Sequence, residues 1–139
     1  MALIEYAKTF LGIPYLWGGK SSQGFDCSGF IQEVLAFAGI DPDGDQNAQS
    51  YYNHFLIRGL SNAKTAGALV FYGKDNKSIT HISMMINDSQ IIEAGGGDHT
   101  TLTKEVAQAQ RAFVRVRPVT RRKDIIAIIL PLYPTWLKS

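Results

Sequence analysis

Hydrophobic positions in the first half of the chain recur at helical spacing. Residues 2–11 place apolar side chains on one face and predict a short amphipathic helix. A second predicted helix runs from the N-cap candidate Asp26 to a stop at Gly39. Its apolar stripe consists of Cys27, Phe30, Ile31, Val34, Leu35 and Ala38. A third predicted helix covers about residues 47–58.

In the second half the hydrophobic period changes from helical to two, which predicts strands. The predicted strands are residues 68–72, 79–86, 91–94 and 113–117. The apolar segment 125–132 is interpreted either as a final strand or as an appended tail. Because helices come first and strands follow, the fold class is α+β, with N-terminal helices packed on a central antiparallel sheet.

Composition limits the domain organisation and the chemistry. A chain of 139 residues with 45% hydrophobic content fits one domain over residues 1–139. We expect its core over about residues 3–117 and a C-terminal extension over about 118–139. One cysteine excludes an internal disulfide and a cysteine-based metal site, and the three histidines lack ligand spacing, so no metal or cofactor is expected. No run is long enough to span a membrane, and the N-terminus does not read as a secretory signal.

Positive charge is concentrated in one segment without acids. The net charge is only +2, and the crowded residues are Arg111, Arg115, Arg117, Arg121, Arg122 and Lys123. A solvated strand face is the favoured interpretation. The alternative is attraction to an anionic surface or polymer. Aromatic residues do not interleave with these charges, so nucleic-acid binding is not expected.

The cysteine lies in the first turn of the second predicted helix. A helix N-terminus carries partial positive charge and free N–H groups, which favour the nucleophilic thiolate of Cys27. The structural alternative is a small buried core residue, as most free cysteines are. The polar neighbours Asp26 and Ser28, with Gly29, argue for the reactive interpretation.

A base and an orienting group for that thiolate are found on two predicted strands. If the turn between them has the three residues 87–89, Glu93 opposes Ser83. His81 and Glu93 then share a face as diagonal neighbours, about 7–8 Å apart at the backbone. A two-residue turn would place them on opposite faces. Taken singly, each residue is better explained structurally, His81 as half-buried and Glu93 as an edge charge. Taken as a pair, with a capped cysteine elsewhere in the chain, they favour catalysis.

Two further groups of polar and aromatic residues are considered for the site. Tyr15 and Trp17 lie in a glycine-rich loop before the cysteine, either as wedges at the edge of the core or as walls of a groove. Asp98 and His99 lie in a flexible loop, and we do not expect them to take part, because rigid elements hold catalytic geometry better.

Four sequence segments together resemble the NlpC/P60 cell-wall peptidases. They are Tyr15-Leu16-Trp17-Gly18-Gly19, Asp26-Cys27-Ser28-Gly29-Phe30, Gly67-Ala68-Leu69-Val70-Phe71 and His81-Ile82-Ser83. The resemblance extends over roughly residues 3–117. It implies a papain-like α+β fold and cleavage of peptidoglycan stem peptides. The usual bond joins γ-D-glutamate to meso-diaminopimelate or lysine.

The resemblance also implies roles for individual residues. Cys27 resembles the family nucleophile and His81 its base. Tyr15 matches a tyrosine near the oxyanion region, and Asp26 and Ser28 match positions that contact the substrate's amino end in some members. Glu93 departs from the pattern, because the family's third polar residue is commonly His, sometimes Asn or Gln.

The small size and the missing signal resemble the phage and prophage branch, whose domains accompany tail proteins. A secreted bacterial domain fits the same residues, so the resemblance implies action at the bacterial cell wall in either case. Two other functions stay open at this point. One is an acyltransferase or amidase on the same fold, and the other is a non-catalytic wall-binding or phage-tail structural component.

Overall fold

Helices dominate the first part of the chain and strands the second. A computed structural model describes residues 1–138, so Ser139, the last residue of the expected extension, lies outside the described residues. The helices are α1 (Ala2–Lys8), α2 (Cys27–Ala38), α3 (Ala48–Phe55) and α4 (Lys104–Gln110). The strands are β1 (Lys20–Ser21), β2 (Gly24–Phe25), β3 (Gly59–Ser61), β4 (Leu69–Gly73), β5 (Ile79–Met85), β6 (Gln90–Gly95), β7 (Phe113–Pro118) and β8 (Ile125–Pro131). Short 3₁₀ helices follow at Val119–Arg121 and Thr135–Lys138.

Six strands form one antiparallel sheet in the order β3-β8-β4-β5-β6-β7, and β1 and β2 form a separate pair. The α+β class with an antiparallel sheet is therefore confirmed. Strand β8 lies between β3 and β4, with Ile129 opposite Leu69. Of the two interpretations of the apolar segment, the strand is the one that the structure shows.

Helix α2 packs its apolar stripe on β5 and β6. The stripe residues Phe30, Ile31, Val34 and Leu35 are completely buried. Complete burial of a side chain of this size contributes about 1.5–3 kcal/mol. This packing fixes the start of α2 over the middle of the sheet.

Both ends of α2 are formed by the predicted residues. The Asp26 carboxylate accepts a hydrogen bond from the Gly29 N–H at 2.7 Å, and Gly39 ends the helix at φ 74°. A Cβ at Gly29 would overlap the carbonyl oxygen of Gly19, so a glycine lets the preceding loop approach the first turn. The position of this turn therefore depends on both a cap and a close backbone contact.

Some elements differ from the hydrophobic pattern. The first helix ends at Lys8 and the third at Phe55, and Gly59 begins β3 instead of only ending a helix. The pattern did not predict α4, which has one fully buried residue, Ala107, and whose start is set by the Thr103 side chain capping the Val106 N–H. Short helices with few buried side chains leave little periodic signal.

Candidate active site

Cys27 is the first residue of α2 and lines a large cleft. Its side chain is half-buried, and the cleft has a volume of about 530 Å³. His81 from β5 and Glu93 from β6 line the same cleft, which we call the main cleft. The structure thus brings together the three residues predicted from separate segments of the chain.

The hairpin between β5 and β6 has the predicted three-residue turn. The Ile86 N–H donates to the Gln90 carbonyl at 3.0 Å, and the strands pair Met84 with Ile92 and Met85 with Ile91. This register places Glu93 on the same face as His81. The His81 Nε2 and Glu93 Oε1 atoms are 2.8 Å apart, so the predicted pairing of these side chains is confirmed.

The ring of His81 connects Glu93 to the thiol. Burial by itself would lower the pKa of His81, but hydrogen bonds to Cys27 and Glu93 and their negative charges outweigh it and raise the pKa to about 9. Because Nε2 faces Glu93, Nδ1 is the ring nitrogen that is left for the sulfur. The ring is therefore placed to carry a proton beside Cys27 at neutral pH.

Glu93 is held by a second cation, Arg115 on β7. Its carboxylate accepts from Arg115 Nε at 3.1 Å, and the Glu93 and Arg115 side chains are only 4% and 12% exposed. Burial favours a neutral Glu93, but His81 and Arg115 outweigh it and lower the Glu93 pKa to about 2. A Cβ at Gly95 would lie 2.5 Å from Glu93 Oε2, so this glycine leaves room for the carboxylate.

The role of Arg115 was missed, because the favoured interpretation placed it on a solvated strand face. That interpretation is wrong for Arg115, whose side chain is largely buried in the ion pair with Glu93. The two residues are directly opposite each other in the β6–β7 ladder. Opposite charges across a strand pair form such contacts, but the signal requires knowing which strands are neighbours.

Tyr15 and Trp17 both line the main cleft. Tyr15 is 5% exposed, and a side chain at Gly97 would overlap its ring. Burial, followed by the charges of Cys27 and Asp26, raises the Tyr15 pKa, so its hydroxyl keeps its proton and can donate. Trp17 is 54% exposed and meets the ring of His99 edge to face, at 6.2 Å between centroids.

Asp26 and Ser28 face a different depression, which we call the side recess. It has a volume of about 260 Å³ and shares no lining residue with the main cleft. Burial raises the pKa of Asp26, while hydrogen bonds from Gly29 and Ser28 oppose that shift. Cys27, the residue between these two in the chain, lines the main cleft instead.

Asp98 and His99, two polar residues of the loop after β6, differ in their relation to the main cleft. Asp98 lines the rim of the main cleft, and its carboxylate accepts from the Thr100 N–H at 2.8 Å. His99 does not line the cleft, but its ring meets that of Trp17 edge to face. Within residues 1–138, no three His, Cys, Asp or Glu side chains come together as a metal site would require. None of the described helices combines the length and apolarity needed to cross a membrane.

Known proteins resemble this chain in sequence and fold. The chain is 37% identical over 94 residues to a γ-D-glutamyl-L-lysine dipeptidyl-peptidase of Bacillus cereus. The match covers 66% of this chain and 27% of that protein, so the chain spans about a quarter of its relative's length.

Solved structures share the fold. The NlpC/p60 domain of the peptidoglycan hydrolase SagA has a TM-score of 0.66 and 28% identity, covering 92% of this chain and 95% of that one. RipD of Mycobacterium tuberculosis, described as a non-catalytic, peptidoglycan-binding NlpC/p60 protein, has a TM-score of 0.66 and 21% identity, covering 94% of each chain. The sequence profile of the NlpC/P60 family matches residues 12–117. The chain therefore belongs to the NlpC/P60 family.

Proposed function

We propose that this protein is a cysteine peptidase that hydrolyses peptidoglycan stem peptides. The bond that it cleaves joins γ-D-glutamate to a diamino acid, and Cys27 forms the acyl-enzyme. The observation that supports this most is the row of side-chain contacts in the main cleft, where His81 interacts with Cys27 and its Nε2 is 2.8 Å from Glu93 Oε1. A nucleophile, a base and an orienting acid in this order are the arrangement that covalent hydrolysis needs.

The first half of the reaction uses the helix start. A protonated His81 beside Cys27 favours the thiolate, which attacks the scissile carbonyl carbon. The carbonyl oxygen becomes an oxyanion, which accepts hydrogen bonds from the free N–H groups of the first turn of α2 and from the Tyr15 hydroxyl. His81 then gives its proton to the leaving amine as the carbon–nitrogen bond breaks.

The second half regenerates the enzyme. His81, now neutral, takes a proton from water, and the resulting hydroxide attacks the thioester carbonyl. The carbon–sulfur bond breaks, the glutamyl carboxylate leaves, and the Cys27 thiolate is restored. Glu93 keeps the imidazole in one orientation and stabilises its charged form throughout.

The acyl part of the substrate is assigned to the residues around the thiol. We place the amino end of the stem peptide at Asp26 and Ser28, in the side recess, because these residues match family positions with that role. The exposed ring of Trp17 then covers the peptide at the mouth of the main cleft. The activity in the name of the Bacillus cereus relative supports the γ-D-glutamyl bond as the target.

Digestion of purified peptidoglycan tests the function. Walls that contain meso-diaminopimelate and walls that contain lysine are incubated with the protein, and released fragments are identified by mass spectrometry. We expect new γ-D-glutamyl carboxylates from the unchanged protein and no products from Cys27→Ala. Ser89→Ala, in the turn away from the cleft, is the matched control and should keep its activity. Cleavage by Cys27→Ala with an unchanged melting temperature would remove the proposal.

The two alternative functions, an acyltransferase and a non-catalytic wall-binding protein, predict different results with the same purified peptidoglycan. An acyltransferase on this fold would attach the glutamyl group to an added amine instead of releasing it to water. A wall-binding protein without activity would sediment with peptidoglycan and leave Cys27 slow to react with iodoacetamide. The intact arrangement of Cys27, His81 and Glu93 favours the peptidase. Association with phage tail proteins stays a prediction.

A further inference from the structure

One end of the main cleft is lined by arginine side chains. Arg115 is paired with Glu93, as described above. Arg122 is paired with Asp124 through two hydrogen bonds, at 2.9 and 2.6 Å. Arg121 is exposed and has no acidic partner among residues 1–138. This end of the cleft therefore has one more cation than the protein itself neutralises.

A fourth arginine increases the positive charge at this end. Arg117, Arg121 and Arg122 line a narrow depression next to the main cleft. Burial, followed by the positive charges of Arg115 and Arg121, lowers the pKa of Arg117, as expected where guanidinium groups repel one another. An anion between them would relieve that repulsion.

The arginine end is connected to His81 through the ring of Tyr72. The Arg122 guanidinium lies 4.5 Å over the ring of Tyr72, and that ring is 5.1 Å from the ring of His81. His81 is the group that protonates the leaving amine in the proposed reaction. In the side recess the lining cation Lys20 is paired with Asp45, and Asp26 adds a negative charge, so the recess and the arginine end differ in charge.

We propose that Arg121 binds a free carboxylate on the amino acid that leaves during cleavage. This inference rests on the peptidase function proposed above and deepens it by naming a substrate class. The preferred substrates are γ-D-glutamyl peptides whose leaving diamino acid carries at least one carboxylate that is not amidated. A guanidinium matches a carboxylate with two parallel hydrogen bonds, which gives geometric specificity as well as attraction.

Two carboxylates of a stem peptide have this chemistry, the α-carboxylate of the leaving residue and the side-chain carboxylate of meso-diaminopimelate. Synthetic peptides that share L-alanyl-γ-D-glutamate distinguish them. Their leaving residues are meso-diaminopimelate with both carboxylates free, meso-diaminopimelate amidated on its side chain, L-lysine, and L-lysine amide. A fifth peptide has D-isoglutamine, so that its acyl-side carboxylate is removed instead. kcat/KM is measured for each peptide.

We expect the peptide of L-lysine amide, which has no leaving-side carboxylate, to be cleaved on the order of tenfold less efficiently than the best substrate. In Arg121→Gln the ratio between these two peptides should fall to about one. Lys123→Gln, which removes a nearby exposed charge outside the cleft, should keep the ratio. The peptide amidated only on the side chain shows which of the two carboxylates is bound.

If the unchanged protein cleaves the peptides with equal kcat/KM whatever their leaving residue, this inference is overturned and the peptidase function stays intact. The same holds if Arg121→Gln affects only the preference for D-glutamate over D-isoglutamine. Calorimetric binding of the peptides to Cys27→Ala provides a second readout. Carboxylate-dependent binding that Arg121→Gln abolishes, without cleavage by the unchanged protein, supports the subsite and removes the peptidase. If the peptides are neither bound nor cleaved, the result overturns both the carboxylate subsite and the peptidase function.

Discussion

The helix side and the sheet side of the main cleft hold their reactive groups in different ways. On the helix side, Cys27 is positioned by backbone contacts of its own turn, capped by Asp26 and packed through Gly29. On the sheet side, His81 and Glu93 are positioned by charges that are linked to each other and to Arg115. A change on the helix side should therefore have a local effect, whereas a change on the sheet side should alter several groups at once.

The charge network also makes the two sides respond differently to pH. The Glu93 pKa of about 2 lies below its ordinary 4.5, so the stabilisation from this group is present above pH 4.5 and lost as the pH falls toward 2. The His81 pKa of about 9 lies above 6.5, so its stabilisation is present below pH 6.5 and lost as the pH rises through 9. The stabilisation from both groups is fully present only between about pH 4.5 and pH 6.5.

The largest expected effect on the sheet side comes from Glu93→Gln. Without the carboxylate, the imidazolium loses a stabilising charge, so kcat/KM should fall by about 10²-fold. The His81 pKa should fall, and the alkaline limb of the pH–rate profile should move below pH 9. An alkaline limb that stays in place would show that Glu93 does not act through His81.

Arg115→Gln should have a smaller effect on rate and an opposite effect on the pH profile. Removal of this cation leaves Glu93 less neutralised, so the His81 pKa should rise while kcat/KM falls by about tenfold. Breaking one partner of a buried pair should also cost about 3 kcal/mol of unfolding free energy. Arg111→Gln, on the exposed turn before the same strand, is the matched control.

Denaturation of the double variant Glu93→Gln, Arg115→Gln sharpens this prediction. If the two residues act as a pair, the double variant should lose less unfolding free energy than the two single losses added together. Additive losses, or pH limbs that move in the same direction, would contradict the linked network.

The smallest expected effect on stability belongs to the helix side. Asp26→Ala removes an N-cap and should lower the free energy of unfolding by about 1 kcal/mol, without moving the pH limbs. Thr103→Ala removes the cap of α4, away from the thiol, and gives a matched loss of stability. A shift of the alkaline limb in Asp26→Ala, but not in Thr103→Ala, would link the helix side to the charge network.

The same contrast explains what the sequence could predict. Both ends of α2 depend on neighbours in the chain, so Asp26 and Gly39 were sufficient to place the helix. The pairing of His81 with Glu93 also follows from local information, because only a three-residue turn separates their strands.

The contact of Arg115 with Glu93 and the position of β8 in the sheet could not be predicted in this way. Arg115 contacts Glu93 from 22 positions away, through the neighbouring strand β7. Strand β8 lies between β3 and β4, although it is the last strand in the chain. Such long-range neighbours depend on the order of strands in the sheet, and hydrophobic periodicity contains no information about that order.

The most direct test of the central claim is to trap the acyl-enzyme. The protein is mixed with L-alanyl-γ-D-glutamyl-meso-diaminopimelate, quenched in acid within milliseconds, digested and analysed by mass spectrometry. We predict an L-alanyl-γ-D-glutamyl thioester on the peptide that contains Cys27, which disappears as free dipeptide accumulates. Rapid release of the dipeptide without any adduct on Cys27 at the shortest times, or an adduct on another residue, would contradict the account.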